Sequence, residues 1–286
     1  MSDELRDKKG LTEAEFLASY NPDRYKKPSV AADMVIFSVD SQKKEKQELR
    51  LLLVKRGGHP FLGQWALPGG FVNEGESAEE AAVRELFEET HVEQGYLEQL
   101  QVFSDWGRDP RMWVMSCAHM ALIDGSRVSV KAGDDARDAR WFSVEWKLQE
   151  EHKENLTDGI RRSLFYTLTL INEGTLLRAH LERRVTVTVS NRREEWRIID
   201  NDGLAFDHAK IIGFALECLK KKADREGIAL LLMPEQFSLN QLCRVWEAIS
   251  GRNLTEEEVR RKAEPFLEEC REGEGLYQRR WEALLR

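Results

Sequence analysis

Apolar and β-branched residues run almost unbroken from 32 to 39 and again from 49 to 55, with a lysine-rich polar stretch at 41–48 between them. Paired runs of this kind predict a hairpin with an exposed loop. Mixed apolar and β-branched positions predict further strands at 112–119, continuing to Leu122, and at 139–144. Val and Thr alternate over 184–190, which predicts a hairpin with 196–199. Helical spacing marks residues 11–20, with Thr12 as a cap candidate, and residues 156–173 and 207–221. The remaining tail predicts mostly helix, with turns near Met233-Pro234 and Ser250-Gly251. No internal repeat or low-complexity tract interrupts the chain. Strands surrounding a few helices predict a mixed α/β sandwich. A boundary is placed near residue 224, in the polar run 220–227.

Composition narrows the class. The 286 residues suffice for one large domain or two ordinary ones, and 41% hydrophobic with 33% charged content suits a solvated globular protein. No stretch approaches the roughly 18 consecutive apolar residues of a membrane span. The polar start lacks the apolar core of a signal peptide, so a cytoplasmic protein without a membrane partner is expected. Cys117, Cys218, Cys243 and Cys270 lie far apart, which argues against structural zinc and a disulfide framework. His119, His180 and His208 have no metal-type spacing and read as packing or surface residues. The net charge of −8 argues against a protein that coats nucleic acid.

The richest segment is 70–92, where a glycine turn precedes a helix carrying Glu85, Glu88 and Glu89. Positions i, i+3 and i+4 share one helix face, and like charges there repel by a few tenths of a kcal/mol per pair. A divalent cation relieves that repulsion. Hard oxygen ligands suit Mg²⁺ or Mn²⁺, and Arg84 beside the cluster is placed to hold one carboxylate.

Gly70, Glu76, Arg84, Glu85, Leu86, Glu88, Glu89 and Val92 fall at the spacing of the Nudix box, which this segment resembles. His91 replaces the closing glycine. Glycine serves there as a left-handed cap, and His is among the residues enriched at positive φ, so the turn is expected to survive. Outside the box, residues 60–61, 63–72, 96–100, 108–111, 132–136 and 204–208 resemble NAD-related Nudix regulators and their enzymatic relatives. Residues 232–239 and 259–262 are similar to that group's winged-helix domain.

The resemblance implies an N-terminal extension (1–30), a Nudix α/β/α sandwich with a mixed sheet (31–223), and a mainly helical winged-helix-like domain (224–286). It implies Mg²⁺-dependent cleavage of a nucleoside diphosphate linked to another moiety, with ADP-ribose leading. The alternative is a ligand-sensing transcriptional regulator, and a third reading is a scaffold that binds no DNA. By resemblance, Glu85, Glu88, Glu89 and the Gly69 carbonyl bind metal. Arg84 orients Glu85, the first candidate for the base, and Glu76 supports the loop or a second metal.

Asp134 and Asp135 are runners-up for the base, with a solvated Asx turn as the other reading. Arg56 and Arg111 suit phosphate or ribose because guanidinium forms bidentate bonds. Asp109 either fixes Arg111 or binds a sugar hydroxyl. Trp65 and Trp106 either stack on adenine or pack in the core.

DNA is a weaker partner. Residues 223–286 hold 10 Lys/Arg against 13 Asp/Glu, a balance of −3. Glu256, Glu257 and Glu258 open the candidate recognition helix, leaving Arg260, Arg261, Lys262, Arg279 and Arg280 to supply a basic patch. A homodimer is expected, with residues 1–30 able to swap onto a partner.

Overall fold

A computed structural model describes residues 5–39, 48–92, 95–124, 136–225, 227–270 and 275–284. Its main sheet contains β1 (Ser29–Val39), β2 (Leu49–Arg56), β3 (Trp65–Ala66), β4 (Gly69–Phe71), β5 (Tyr96–Phe103) and β6 (Val114–Leu122). Four long strands complete it: β7 (Ala136–Leu156), β8 (Gly159–Asn172), β9 (Thr175–Thr188) and β10 (Arg192–Asp202). The order is β10-β9-β8-β7-β2-β1-β6-β5, with β3 against β2 and β4 against β1. The sheet is mixed because β1 and β6 run parallel while the other pairs are antiparallel.

Alternation along β1 decides the layers. Ala32, Met34 and Ile36 join Ala81, Ala82 and Leu86 of helix α2 (Ala78–Thr90) in one buried cluster. Val35, Phe37 and Val39 join a second cluster that includes Ala209, Ile212 and Leu216 of α3 (His208–Arg225). These side chains face opposite sides of the sheet because strand periodicity is two. Each such Val, Leu, Ile or Phe contributes about 1.5–3 kcal/mol on full burial. The result is an α/β/α sandwich.

The helix expected over 156–173 is instead β8. Leu164, Tyr166, Leu168 and Leu170 are buried at every second residue, and Tyr166 and Leu168 lie opposite Leu181 and Ala179 of β9. Sheet pairing on both sides selects the two-residue period over the helical one, which short apolar runs leave ambiguous. The strand expected at 139–144 lies inside the longer β7, and the hairpin expected of 184–190 with 196–199 is formed by β9 and β10 in another register: 189–190 lie in the turn, and 196–198 pair with 181–183. The loop at 40–47 and most of 132–136 lie outside the described residues.

Near the N-terminus, α1 (Glu13–Ser19) starts at Thr12, which forms a capping box with Glu15. None of its residues is buried.

Beyond α3 the chain forms β11 (Phe237–Ser238), α4 (Leu239–Ser250), α5 (Glu256–Ala263), β12 (Leu267–Glu269), β13 (Leu276–Arg279) and α6 (Trp281–Leu284). The mostly helical expectation holds for α4 and α5, but a small sheet ordered β11-β13-β12 joins them. Leu242, Val245, Trp246 and Ile249 of α4 are continuous with the apolar cluster of α3 and the main sheet. Among the described residues no helix is long and apolar enough to cross a membrane.

Candidate active site

The acidic helix is set by local chemistry at both ends. Ser77 caps α2 and exchanges hydrogen bonds with Glu80 in a capping box. At the other end His91 adopts φ 57°, ψ 23° and its N–H donates to the Phe87 carbonyl. The histidine therefore makes the left-handed turn in place of glycine.

Arg84 is the hub of the cluster. Its Nε donates to Glu76 Oε1 at 2.9 Å, and its Nη1 donates to Glu85 Oε1 at 2.6 Å and Glu88 Oε1 at 3.5 Å. Nη2 reaches the Phe71 carbonyl at 3.2 Å, which ties the helix to β4. A Cβ at Gly70 would overlap Glu85 Oε1, so glycine lets that carboxylate lie against the backbone. At Gly69 a Cβ would overlap the Ala32 carbonyl.

Glu85 and Glu89 are buried, whereas the Glu88 side chain is half exposed. Burial raises the Glu85 pKa, and the Arg84 contact opposes it. For Glu89 burial is the main cause, reinforced by the Glu85 and Glu88 charges, and the pKa is pushed up to about 7. Glu89 Oε2 is buried without a hydrogen-bond partner. Among the described residues no three His, Cys, Asp or Glu side chains stand arranged to hold a metal ion. The donors fit a hard divalent cation in kind: an orphaned buried carboxylate oxygen, with further carboxylates beside it. Seating the cation needs side-chain rotation, for which the exposed Glu88 has room.

A stability consequence follows. The folded-state pKa of Glu89, about 7, lies above the ordinary glutamate value of 4.5. The folded protein thus keeps this proton longer than the unfolded chain, so the contribution is full below pH 4.5 and is lost as pH rises through about 7. Without metal, the wild type should lose about 3 kcal/mol across that window relative to Glu89→Gln. Urea denaturation of both proteins at pH 4.5 and pH 8 checks this, and parallel pH profiles would contradict it.

These residues line a cavity of about 900 Å³, together with Gly69, Arg56, Arg108, Asp109, Arg111, Phe206 and His208. Arg111 Nη2 pairs with Asp109 Oδ2 at 2.7 Å, so Asp109 fixes the arginine. Burial opposes ionisation of Asp109, but the Arg111 hydrogen bonds hold its pKa below the usual carboxylate range. Arg56 Nε donates to the Pro60 carbonyl at 2.7 Å, and its guanidinium lies 4.9 Å from the Phe206 ring centre.

The floor contains residues not chosen from sequence. Arg108 bridges Asp207 (2.7 Å) and Asp33 (3.2 Å), while Ser116 Oγ donates to Asp33 at 2.5 Å. The Leu67 N–H donates to His208 Nδ1 at 2.8 Å, and burial lowers the His208 pKa, favouring the neutral acceptor. Runs 108–111 and 204–208 carried the family resemblance, which was the available signal for Arg108, Phe206, Asp207 and His208. Asp33 and Ser116 had none.

Neither tryptophan lines the cavity. Trp65 is buried edge-on against Phe142 at 4.8 Å, the core-packing alternative, and Trp106 is 85% exposed. Asp134 and Asp135 lie outside the described residues.

Residues 27–162 match the NUDIX domain family. The chain is 39% identical over 139 residues to the ADP-ribose pyrophosphatase of Methanocaldococcus jannaschii, covering 48% of this chain and 76% of that one. It is also 28% identical over 254 residues to the ADPR responsive transcriptional repressor NtrR of Acinetobacter baylyi, covering 88% and 78%. The crystal structure of Shewanella oneidensis NrtR complexed with a 27mer DNA matches with TM-score 0.58 and 25% identity, covering 90% of this chain and 95% of that one. With the box carboxylates on α2 and this agreement, the chain belongs to the Nudix family. Its relatives include both a pyrophosphatase and a transcriptional repressor.

Proposed function

We propose that this chain is a Mg²⁺-dependent Nudix hydrolase that cleaves the pyrophosphate of a nucleoside diphosphate linked to another moiety, with ADP-ribose the leading substrate. The observation that carries this reading is the complete carboxylate set, Glu85, Glu88 and Glu89, gathered beside Arg84 on the wall of the arginine-bearing cavity. A sensor must bind its ligand, but it has no need of every one of these carboxylates. Likeness to an ADP-ribose pyrophosphatase supports the substrate class.

Glu85, Glu88, Glu89 and the Gly69 carbonyl would hold Mg²⁺, with Mn²⁺ as a substitute. When bound, the cation neutralises charge developing on phosphate oxygens and acidifies water. The protein's own residues do the rest. Arg84 orients Glu85 through their 2.6 Å contact, and Glu85 takes a proton from the attacking water. Arg56 and Arg111 grip the phosphate oxygens, with Asp109 holding Arg111 in place. The water oxygen bonds to one phosphorus, the bridging P–O bond breaks, and AMP and ribose 5-phosphate are released from ADP-ribose. In this reading residues 31–223 form the catalytic domain and 224–286 a winged-helix-like domain in a cytoplasmic homodimer. The wholly unburied α1 suits such a partner.

The test is AMP release from ADP-ribose, NAD, nucleotide sugars and dinucleoside polyphosphates with Mg²⁺. Metal-dependent turnover of one compound supports the enzyme. Binding without turnover favours the second reading, a ligand-responsive DNA-binding regulator.

That second reading draws on the C-terminal architecture and the likeness to a transcriptional repressor. Against it, Glu256, Glu257 and Glu258 are exposed at the start of α5. Arg279 is drawn away from the patch, because it donates to the Leu230 and Met233 carbonyls at 3.0 and 2.6 Å. We expect weak duplex binding at physiological salt. Tight binding that steepens with falling salt and is lost in Arg260→Ala/Arg261→Ala would reverse the assignment.

A further inference from the structure

Among the described residues, three that are not glycine adopt positive φ: Phe61 at 61°, His91 at 57° and Phe206 at 52°. His91 caps a helix. The two phenylalanines, far apart in sequence, meet at the cavity with ring centres 4.7 Å apart. A bulky residue in the left-handed region is an outlier that persists only when its surroundings over-determine it.

The flanks of Phe206 are pinned. The Ala205 N–H donates to the Trp65 carbonyl at 2.8 Å, Asp207 is locked to Arg108 at 2.7 Å, and His208 Nδ1 accepts the Leu67 N–H at 2.8 Å. Held on both sides, the backbone turns the Phe206 ring into the cavity lining. Two guanidiniums lie against that ring: Arg56 at 4.9 Å and Arg111 at 5.9 Å from its centre. Arg111 also lies 5.4 Å from the Phe71 ring. Cations within about 6 Å of an aromatic face are attracted by its quadrupole. Two guanidiniums are thereby brought to one small apolar platform, Arg111 steadied there by Asp109, and the oxygens of adjacent phosphates are the complement of their remaining donors.

We infer that Phe206 is a positioning residue which uses one ring to set Arg56 and Arg111 as a paired grip for the diphosphate of the ligand. This rests on the nucleoside-diphosphate reading above. Phe206 makes its contribution through the arginines, and its strained backbone is the cost of aiming the ring.

The test has a ligand-free arm and a binding arm on the full-length protein. In the first, the side-chain Nε–H resonances of Arg56 and Arg111 are followed by ¹H–¹⁵N NMR. Both should carry upfield ring-current shifts; in Phe206→Leu that of Arg56 should vanish and that of Arg111 should fall to the part contributed by Phe71, and both should persist in Phe206→Tyr. In the second, calorimetry measures the Kd of α,β-methylene-ADP-ribose. Phe206→Leu should raise Kd about tenfold, since the π-face is lost while apolar bulk stays, and Phe206→Tyr should restore it. In an Arg56→Met/Arg111→Met background, Phe206→Leu should have no further effect. An equal effect there would mean that the ring touches the ligand itself, which overturns the inference. Unchanged resonances or unchanged affinity in Phe206→Leu overturn it as well. If the wild type binds neither this analogue nor inorganic pyrophosphate, the ligand class fails along with the grip. If it binds and Phe206→Leu matches it, the grip alone fails.

Discussion

Glu89→Gln is expected to lower turnover of ADP-ribose by at least about 100-fold while the protein stays folded, because a carboxylate that would hold the cation is lost. The substitution keeps nearly the same volume, so the packing of α2 on β1 is not disturbed. It removes a buried carboxylate whose Oε2 has no partner and whose pKa is pushed up to about 7 by burial and by Glu85 and Glu88. At pH 8 the variant should therefore be more stable than the metal-free wild type. Gain of stability with loss of activity is the pattern of a site whose residues repel one another for the sake of a ligand. Two measurements settle it: AMP release at saturating Mg²⁺, and melting temperature at pH 8 with EDTA. Full turnover with unchanged metal dependence would remove Glu89 from the site. Lost turnover together with a lower melting temperature would reduce it to a structural residue.

Arg108→Met should destabilise the protein by about 3–5 kcal/mol, a large part of the roughly 5–15 kcal/mol that holds a domain folded. The Arg108 side chain is only 5% exposed and lies between Asp33 on β1 and Asp207 ahead of α3. Methionine fills much of the volume but removes the cation shared by the two carboxylates, leaving Asp207 with Lys210 at 3.6 Å and Asp33 with the Ser116 hydroxyl. The loss comes from that lost compensation of charge, so Asp207→Asn in the same protein should recover part of it. Urea denaturation with an unchanged m-value reads the effect as stability. A loss below about 1 kcal/mol, or no recovery in the double variant, would show that solvent reaches the cluster and screens it.

The two substitutions probe opposite sides of one cavity. The α2 side is local in origin: Ser77 and Glu80 start the helix, helical spacing gathers Glu85, Glu88 and Glu89, and Arg84 sits next to its partner. All of this lies within 15 residues of sequence, and the expected Arg84–Glu85 contact is present at 2.6 Å. The opposite side is assembled from a distance. Leu67 meets His208 across 141 positions, and Arg108 meets Asp207 across 99. No periodicity within a window of the sequence encodes such pairs. They exist because the Gly203–Ala205 backbone lies along Trp65, where the Trp65 N–H donates to the Gly203 carbonyl and the Ala205 N–H to the Trp65 carbonyl.

The same division explains why residues 156–173 form strand and not the expected helix. Residues 156–173 contain enough apolar positions to satisfy a helical spacing, and local propensity leaves the choice open. Pairing of β8 with β7 and β9 decided it, because each added strand satisfies a row of backbone groups and buries Leu164, Tyr166, Leu168 and Leu170 on one side. In the tail, the acids Glu256, Glu257 and Glu258 were readable as a helix opening, which Thr255 caps, whereas the short strands β11, β12 and β13 were not. Two or three residues carry no period of their own, and they become strands only when brought edge to edge. Linear sequence therefore specified the Nudix helix, its caps and its carboxylates, since those interactions close within a turn or two of backbone. Tertiary structure alone placed Phe206 against Arg56 and Arg111 and set Asp33 and His208 beneath the cavity, since their geometry depends on sheet register and on where α3 docks.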